Sequence, residues 1–137
     1  MPMTKTTETS LLAKSLCESS TVPSPSTTLL GHLKDVYRAA DCVITATGEQ
    51  QLKACDLEPQ VWLARLRSVG LLAAALHDMG KANNHFQRMI ANPGKRQMQG
   101  LRHEWVMYWL AQQSPWKQWG PQVLGSDDDW QIGRAYV

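Results

Sequence analysis

Between Val69 and Leu76 the chain reads VGLLAAAL, with no polar side chain, and the next two residues are His77 and Asp78. A helix built from such a stretch has no face to offer water, so it should be buried all round. Ionisable groups delivered straight from a buried helix are expensive unless something pairs them. The fold must therefore supply partners for His77 and Asp78. The stretch completes a longer pattern, VWLARLRSVGLLAAALHD, which Pro59 opens at a first helical turn. Arg65, Arg67 and Ser68 make its first half amphipathic, and Gly80 ends it by letting the backbone turn sharply.

The rest of the pattern is also helical. Leu29, His32, Val36, Ala39 or Ala40, and Val43 recur at three- and four-residue steps. They predict a helix from about Leu29 to Thr45, capped by Ser26, Thr27 or Thr28 and stopped by Gly48. GEQQLKACDLE then reads as a polar connection. Asn83 or Asn84 caps a short helix over HFQRMI, which Asn92-Pro93-Gly94 breaks, and a basic loop GKRQMQGLR follows. A further helix from about Leu101 to Gln113 puts His103, Met107 and Leu110 on one face. Trp105 and Trp109, four apart, read as packing residues. Pro115, Gly120 and Pro121 interrupt the chain, and Ser126 with Asp127–Asp129 forms the N-cap and acidic first turn of a helix near Trp130. A weak helix over Thr9–Cys17 precedes a Ser/Thr/Pro-rich loop. The reading is all-α, with residues 1–28 as a flexible N-terminal segment and 29–137 as the domain.

Several function classes drop out. A net charge of +2 is too small for a broad nucleic-acid footprint, so any attraction to phosphate must be local. Cys17, Cys42 and Cys55 lack CxxC spacing, which argues against a zinc ribbon and fits a reducing compartment. No apolar run is long enough to cross a membrane, and the N-terminus lacks a signal-peptide core. A cytoplasmic protein without a membrane partner is expected. GxxxxGK[ST] is absent, so there is no P-loop.

His32, His77 and His103 each fall on or beside the apolar face of a separate helix. Singly, each reads as an ordinary core histidine. With Asp78 they make a set of imidazole and carboxylate donors that first-row divalent cations accept, and rigid helices can converge them. Adjacent helical residues diverge by roughly 100°, which suits an Asp78 carboxylate bridging two metals while His77 holds one. Lys81 projects nearby, where an ammonium pairs with a scissile phosphate. His85 reads as a surface residue, Asp127–Asp129 as capping residues, and Lys95, Arg96 and Arg102 as a small basic lip or a solvated loop.

The order His32 … His77-Asp78-Met79-Gly80-Lys81 … His103 resembles the HD superfamily of metal-dependent phosphohydrolases. GHLKDV, LHDMGKANNHFQ and LRHE resemble, more narrowly, the HD-nuclease domain of the CRISPR-associated type I helicase-nuclease, over about residues 29 to 113. The HD pair alone is common; HDxGKA, then FQ, then an RHE helix is far more specific. The resemblance implies a helical HD bundle, two transition-metal ions (Mn, Fe, Co, Ni or Zn) and cleavage of single-stranded DNA. An RNA-guided surveillance complex and a helicase module would be its partners. It also implies His32, His77, Asp78 and His103 as metal ligands, Asp78 and Lys81 as catalytic residues, and Lys81 with Arg102 at substrate phosphate. The family pattern continues with an adjacent histidine pair and a further aspartate, whereas this sequence has no histidine after His103. The expectation is an HD bundle lacking its C-terminal helices and cleaving DNA weakly or not at all alone. The competing readings are a hydrolase of nucleotides or other small phosphoesters, and an inactive fragment that binds a partner.

Overall fold

Thr28 caps the longest helix, its hydroxyl accepting the Gly31 N–H at 3.1 Å. The computed structural model describes residues 10–16, 22–91 and 102–134. Among them are α1 (Leu29–Ala54), α2 (Pro59–Leu76), α3 (Asn84–Ala91), α4 (His103–Ala111), α5 (Ser114–Leu124) and α6 (Asp127–Arg134). Short 3-10 turns span Pro25–Thr27 and Met79–Ala82. No strand occurs among the described residues, only an isolated antiparallel bridge between Leu12 and Thr28. The all-α expectation holds.

The helix α1 runs well past Thr45 and through Gly48, and most of the expected polar connection is helical. Gly48 is not a stop but a notch, since a Cβ there would stand 2.9 Å from Leu63 Cδ1 on α2. The helix ends instead where Asp56 takes a left-handed backbone, φ 56°. Its buried row passes through Gly48 and Leu52; of the residues expected on the apolar face Val43 is exposed, and of the alternatives Ala39 and Ala40 the first is exposed and the second half-buried. The close pairs Gly48–Leu63 and Ile44–Gly70 run in opposite chain directions, so α1 and α2 form an antiparallel hairpin.

The second half of α2 buries Leu71, Ala74 and Leu76 but leaves Val69, Leu72 and Ala73 half-buried, short of the all-round burial its composition predicts. Only part of its circumference meets another described helix. Leu76 packs with Met107 and Ala111 of α4 and Trp130 of α6, and Leu72, Met79, Trp116 and Leu124 close around them. Trp105 and Trp109, expected as packing residues, are exposed among the described residues on the side of α4 away from Met107, with Trp105 edge-on to Tyr108 at 6.4 Å. The helix α5 does not break at Gly120 and Pro121. Pro115 sits in its first turn, and Gly120 lets the Trp130 ring approach to where a Cβ would stand 2.1 Å away. Ser126 caps α6, accepting the Asp129 N–H at 3.2 Å, and buried Asp129 pairs with Arg65 of α2.

The expected helix over Thr9–Cys17 does not form in its described part, 10–16, which is non-helical and bonds to the start of α1. Thr9 and Cys17, like Lys95, Arg96 and Leu101, lie outside the described residues. No helix among the described residues is long and apolar enough to cross a membrane.

Candidate metal centre

The helix α2 ends one residue before His77. His77 still has helical dihedrals, but Asp78 leaves them at φ −111°, ψ 6°, starting the Met79–Ala82 turn. The 100° divergence expected of two helical neighbours is therefore lost. His77 Nε2 lies 3.2 Å from Asp78 Oδ2, so the pair converges rather than splits.

Asp78 collects the rest. His32, in the first turn of α1, brings Nε2 to 2.9 Å from Oδ2, and His103, first residue of α4, brings Nε2 to 3.0 Å from Oδ1. Lys81 places its ammonium 2.6 Å from Oδ2. The sequence thus supplies the partners that the apolar run demanded. Gly80 is needed for a reason other than a sharp turn: a Cβ there would stand 1.9 Å from the His103 carbonyl oxygen. That close approach seats the start of α4 on the turn.

Burial pushes the Asp78 carboxyl up. The Lys81 hydrogen bond, the charges of His77 and Lys81 and the His32 hydrogen bond outweigh it, holding the group below the ordinary carboxylate range. His77 Nδ1 lies 2.8 Å from the Ala74 carbonyl, which can only accept, so Nδ1 carries the proton. In the neutral ring Nε2 then points a lone pair at a carboxylate oxygen, and two acceptors face each other unless a proton or cation lies between them. One ligand atom each from His32, His77 and Asp78 lies within 4.8 Å of the others, a spacing able to hold a metal ion. The donor set, imidazoles plus a carboxylate, fits a divalent transition metal.

Of the other sequence candidates, Arg102 stands just before α4, exposed, with its guanidinium 3.0 Å from Glu104. That bond holds the Glu104 carboxyl below its usual value. His85 is exposed, and Asp127–Asp129 belong to the α6 first turn, away from the cluster. Phe86 and Gln87 join the site although the sequence alone assigns them no role. Phe86 is buried with its ring edge-on to His103 at 5.5 Å, and Gln87 bonds the Lys81 carbonyl. The signal was the FQ pair already noted in the HDxGKA segment.

A family model described as Cas3, HD domain, matches residues 13–131. The chain belongs to the Cas3 HD-domain family. It is similar to a putative CRISPR-associated nuclease/helicase Cas3 of Myxococcus xanthus (strain DK1622), 42% identical over 101 residues, covering 74% of this chain and 13% of that protein. It is also similar to a CRISPR-associated nuclease/helicase Cas3 subtype I-F/YPEST of Pseudomonas aeruginosa (strain UCBPP-PA14). There the identity is 38% over 65 residues, 47% of this chain and 6% of the relative. The chain therefore spans a small part of these curated relatives. No solved structure matches it significantly. The HD pair of this Cas3-type domain is His77-Asp78.

Proposed function

We propose that this chain is the metal-dependent phosphodiester-cleaving part of a cytoplasmic CRISPR interference nuclease. Its substrate is single-stranded DNA displaced by an RNA-guided surveillance complex, and a helicase module is its partner. The observation that carries the reading is Asp78, whose two oxygens meet imidazoles from α1, the α2 cap and α4 together with the Lys81 ammonium. In this reading His32, His77, Asp78 and His103 hold a cation, which is Mn, Fe, Co, Ni or Zn. The second ion implied by the resemblance finds few further donors among the described residues.

A bound divalent cation polarises a phosphoryl oxygen and acidifies water. The chain's own residues do the remaining work. The Ala74 carbonyl fixes the His77 tautomer, leaving Nε2 as the nitrogen that would take a cation, as outer-sphere partners of metal-bound histidines do. Lys81, beside the same carboxylate oxygen, contacts the scissile phosphate. Arg102, two positions from Glu104 and next to His103, contacts a neighbouring phosphate. Two localised cations of this kind suit a chain whose net charge is only +2.

Calorimetric titration with Mn2+ and cleavage assays test the reading. The expected result is a single tightly bound Mn2+, slow chelator-sensitive cleavage of a single-stranded oligonucleotide, and intact free nucleotides. Asp78→Ala should remove both binding and cleavage. Hydrolysis of nucleotides with DNA left intact would move the assignment to a small-phosphoester hydrolase. Failure to bind Mn2+, Ni2+ or Zn2+ at all would overturn it.

A further inference from the structure

Gln87 uses both ends of its amide. Its Oε1 accepts the Leu12 N–H at 3.0 Å, and its Nε2 donates to the Leu12 carbonyl at 2.9 Å and to the Lys81 carbonyl at 2.8 Å. The segment around Leu12 is pinned on its other edge as well. The Ala13 N–H donates to the Thr27 carbonyl at 2.9 Å, and the Leu29 N–H to the Leu11 carbonyl at 2.8 Å. The stretch around Leu12 is thus a strap, joined through Gln87 to the turn that carries Lys81 and through Thr27 and Leu29 to the start of the helix that carries His32. Beneath the same turn, Lys81 Nζ stands over the Phe86 ring, 5.6 Å from its centroid.

We propose that Gln87 is a positioning residue for Lys81, clamping its backbone to the strap so that the ammonium is held at Asp78. A carboxamide has the donor and acceptor layout of a peptide group, so an extended backbone pairs with it as with a neighbouring strand. Its second amide hydrogen remains for the Lys81 carbonyl. A lysine ammonium on a four-carbon stem wanders unless it is tethered at more than its tip. Here Gln87 fixes the backbone, Phe86 the underside and Asp78 the charge. A preplaced cation spares the substrate the cost of ordering that side chain on binding. Only this last consequence rests on the phosphate role given to Lys81 above.

The test uses the whole 137-residue chain, whose size suits solution NMR. The ε-methylene protons of Lys81 should be shifted upfield by the Phe86 ring relative to those of Lys34, Lys53 and Lys117. Gln87→Leu, close to isosteric but without the amide, should move them toward those reference lysines. Asp129→Asn, which loosens the distant α2–α6 contact, should leave them in place. A Lys81 resonance unchanged in Gln87→Leu, or shifted equally by Asp129→Asn, overturns the clamp. Binding of a fluorescent, phosphorothioate-protected oligothymidylate should then weaken several-fold in Gln87→Leu, with no added loss when Lys81→Met is already present. If Lys81→Met alone leaves that affinity unchanged, the phosphate role of Lys81 fails, while the resonance still decides the clamp.

Discussion

Asp78 is 6% exposed, and its buried charge is met by the Lys81 ammonium and by the imidazoles of His32, His77 and His103. Asp78→Asn keeps the shape and removes the charge. Because loss of a mere outer-sphere partner costs about 10–100-fold in metal affinity, loss of this carboxylate should exceed that range in a Mn2+ titration. Circular dichroism should remain helical, and near-parental Mn2+ affinity would exclude Asp78 as a ligand. Gly80→Ala tests the neighbouring contact. Its methyl would meet backbone rather than a movable side chain, so about 1–3 kcal/mol of stability should be lost, toward the upper end. His103 would shift with α4, and Mn2+ affinity should fall with it. At this scale the sequence was informative, because three histidines on apolar helix faces and an acid after an apolar run each needed a partner. What it hid was the dihedral break at Asp78 and the close approach of the His103 backbone to Gly80, a contact between segments far apart in sequence.

Helices were recognisable from periodicity, and their ends less so. Gly48 and Gly120 read as stops when taken alone, yet each sits mid-helix because a neighbouring side chain, Leu63 or Trp130, needs the space. Local propensity cannot see that neighbour, and tertiary packing outweighs the roughly 1 kcal/mol that glycine costs in a helix. The 10–16 segment shows the converse: a weak helical pattern gives way to backbone pairing with Thr27 and Leu29 and to the Gln87 side-chain amide. Between elements, the α2–α6 contact turns on Arg65 and Asp129, with Arg65 also stacked on Trp62 at 5.1 Å. Asp129→Asn removes a charge-assisted bond, but Arg65 keeps a third of its side chain in water. The loss should therefore be about 1–2 kcal/mol in urea unfolding. Metal affinity should not change, because the pair lies outside the cluster. A weakened Mn2+ affinity in this variant would mean that α6 supports the site.

Positions 32, 77, 78 and 103 come together only when α1, the end of α2 and the start of α4 are all in place. An unfolded chain offers the same donors scattered, so a cation that binds the cluster binds the folded state and stabilises it by mass action. At a free concentration of one hundred times Kd the gain is about 2.7 kcal/mol. For a chain of this size, each kcal/mol moves the melting temperature by roughly 4 °C, giving a rise of roughly 10 °C. The shift should follow the logarithm of Mn2+ concentration, reverse on adding a chelator and vanish in Asp78→Ala. It should persist in Asp129→Asn, displaced to a lower baseline, since that variant loosens the fold without touching a donor. The two variants thereby separate stability gained through the cluster from stability of the bundle. A melting curve that Mn2+, Ni2+ and Zn2+ all leave unchanged would show that the convergence on Asp78 is held by its histidines and Lys81 alone and carries no cation.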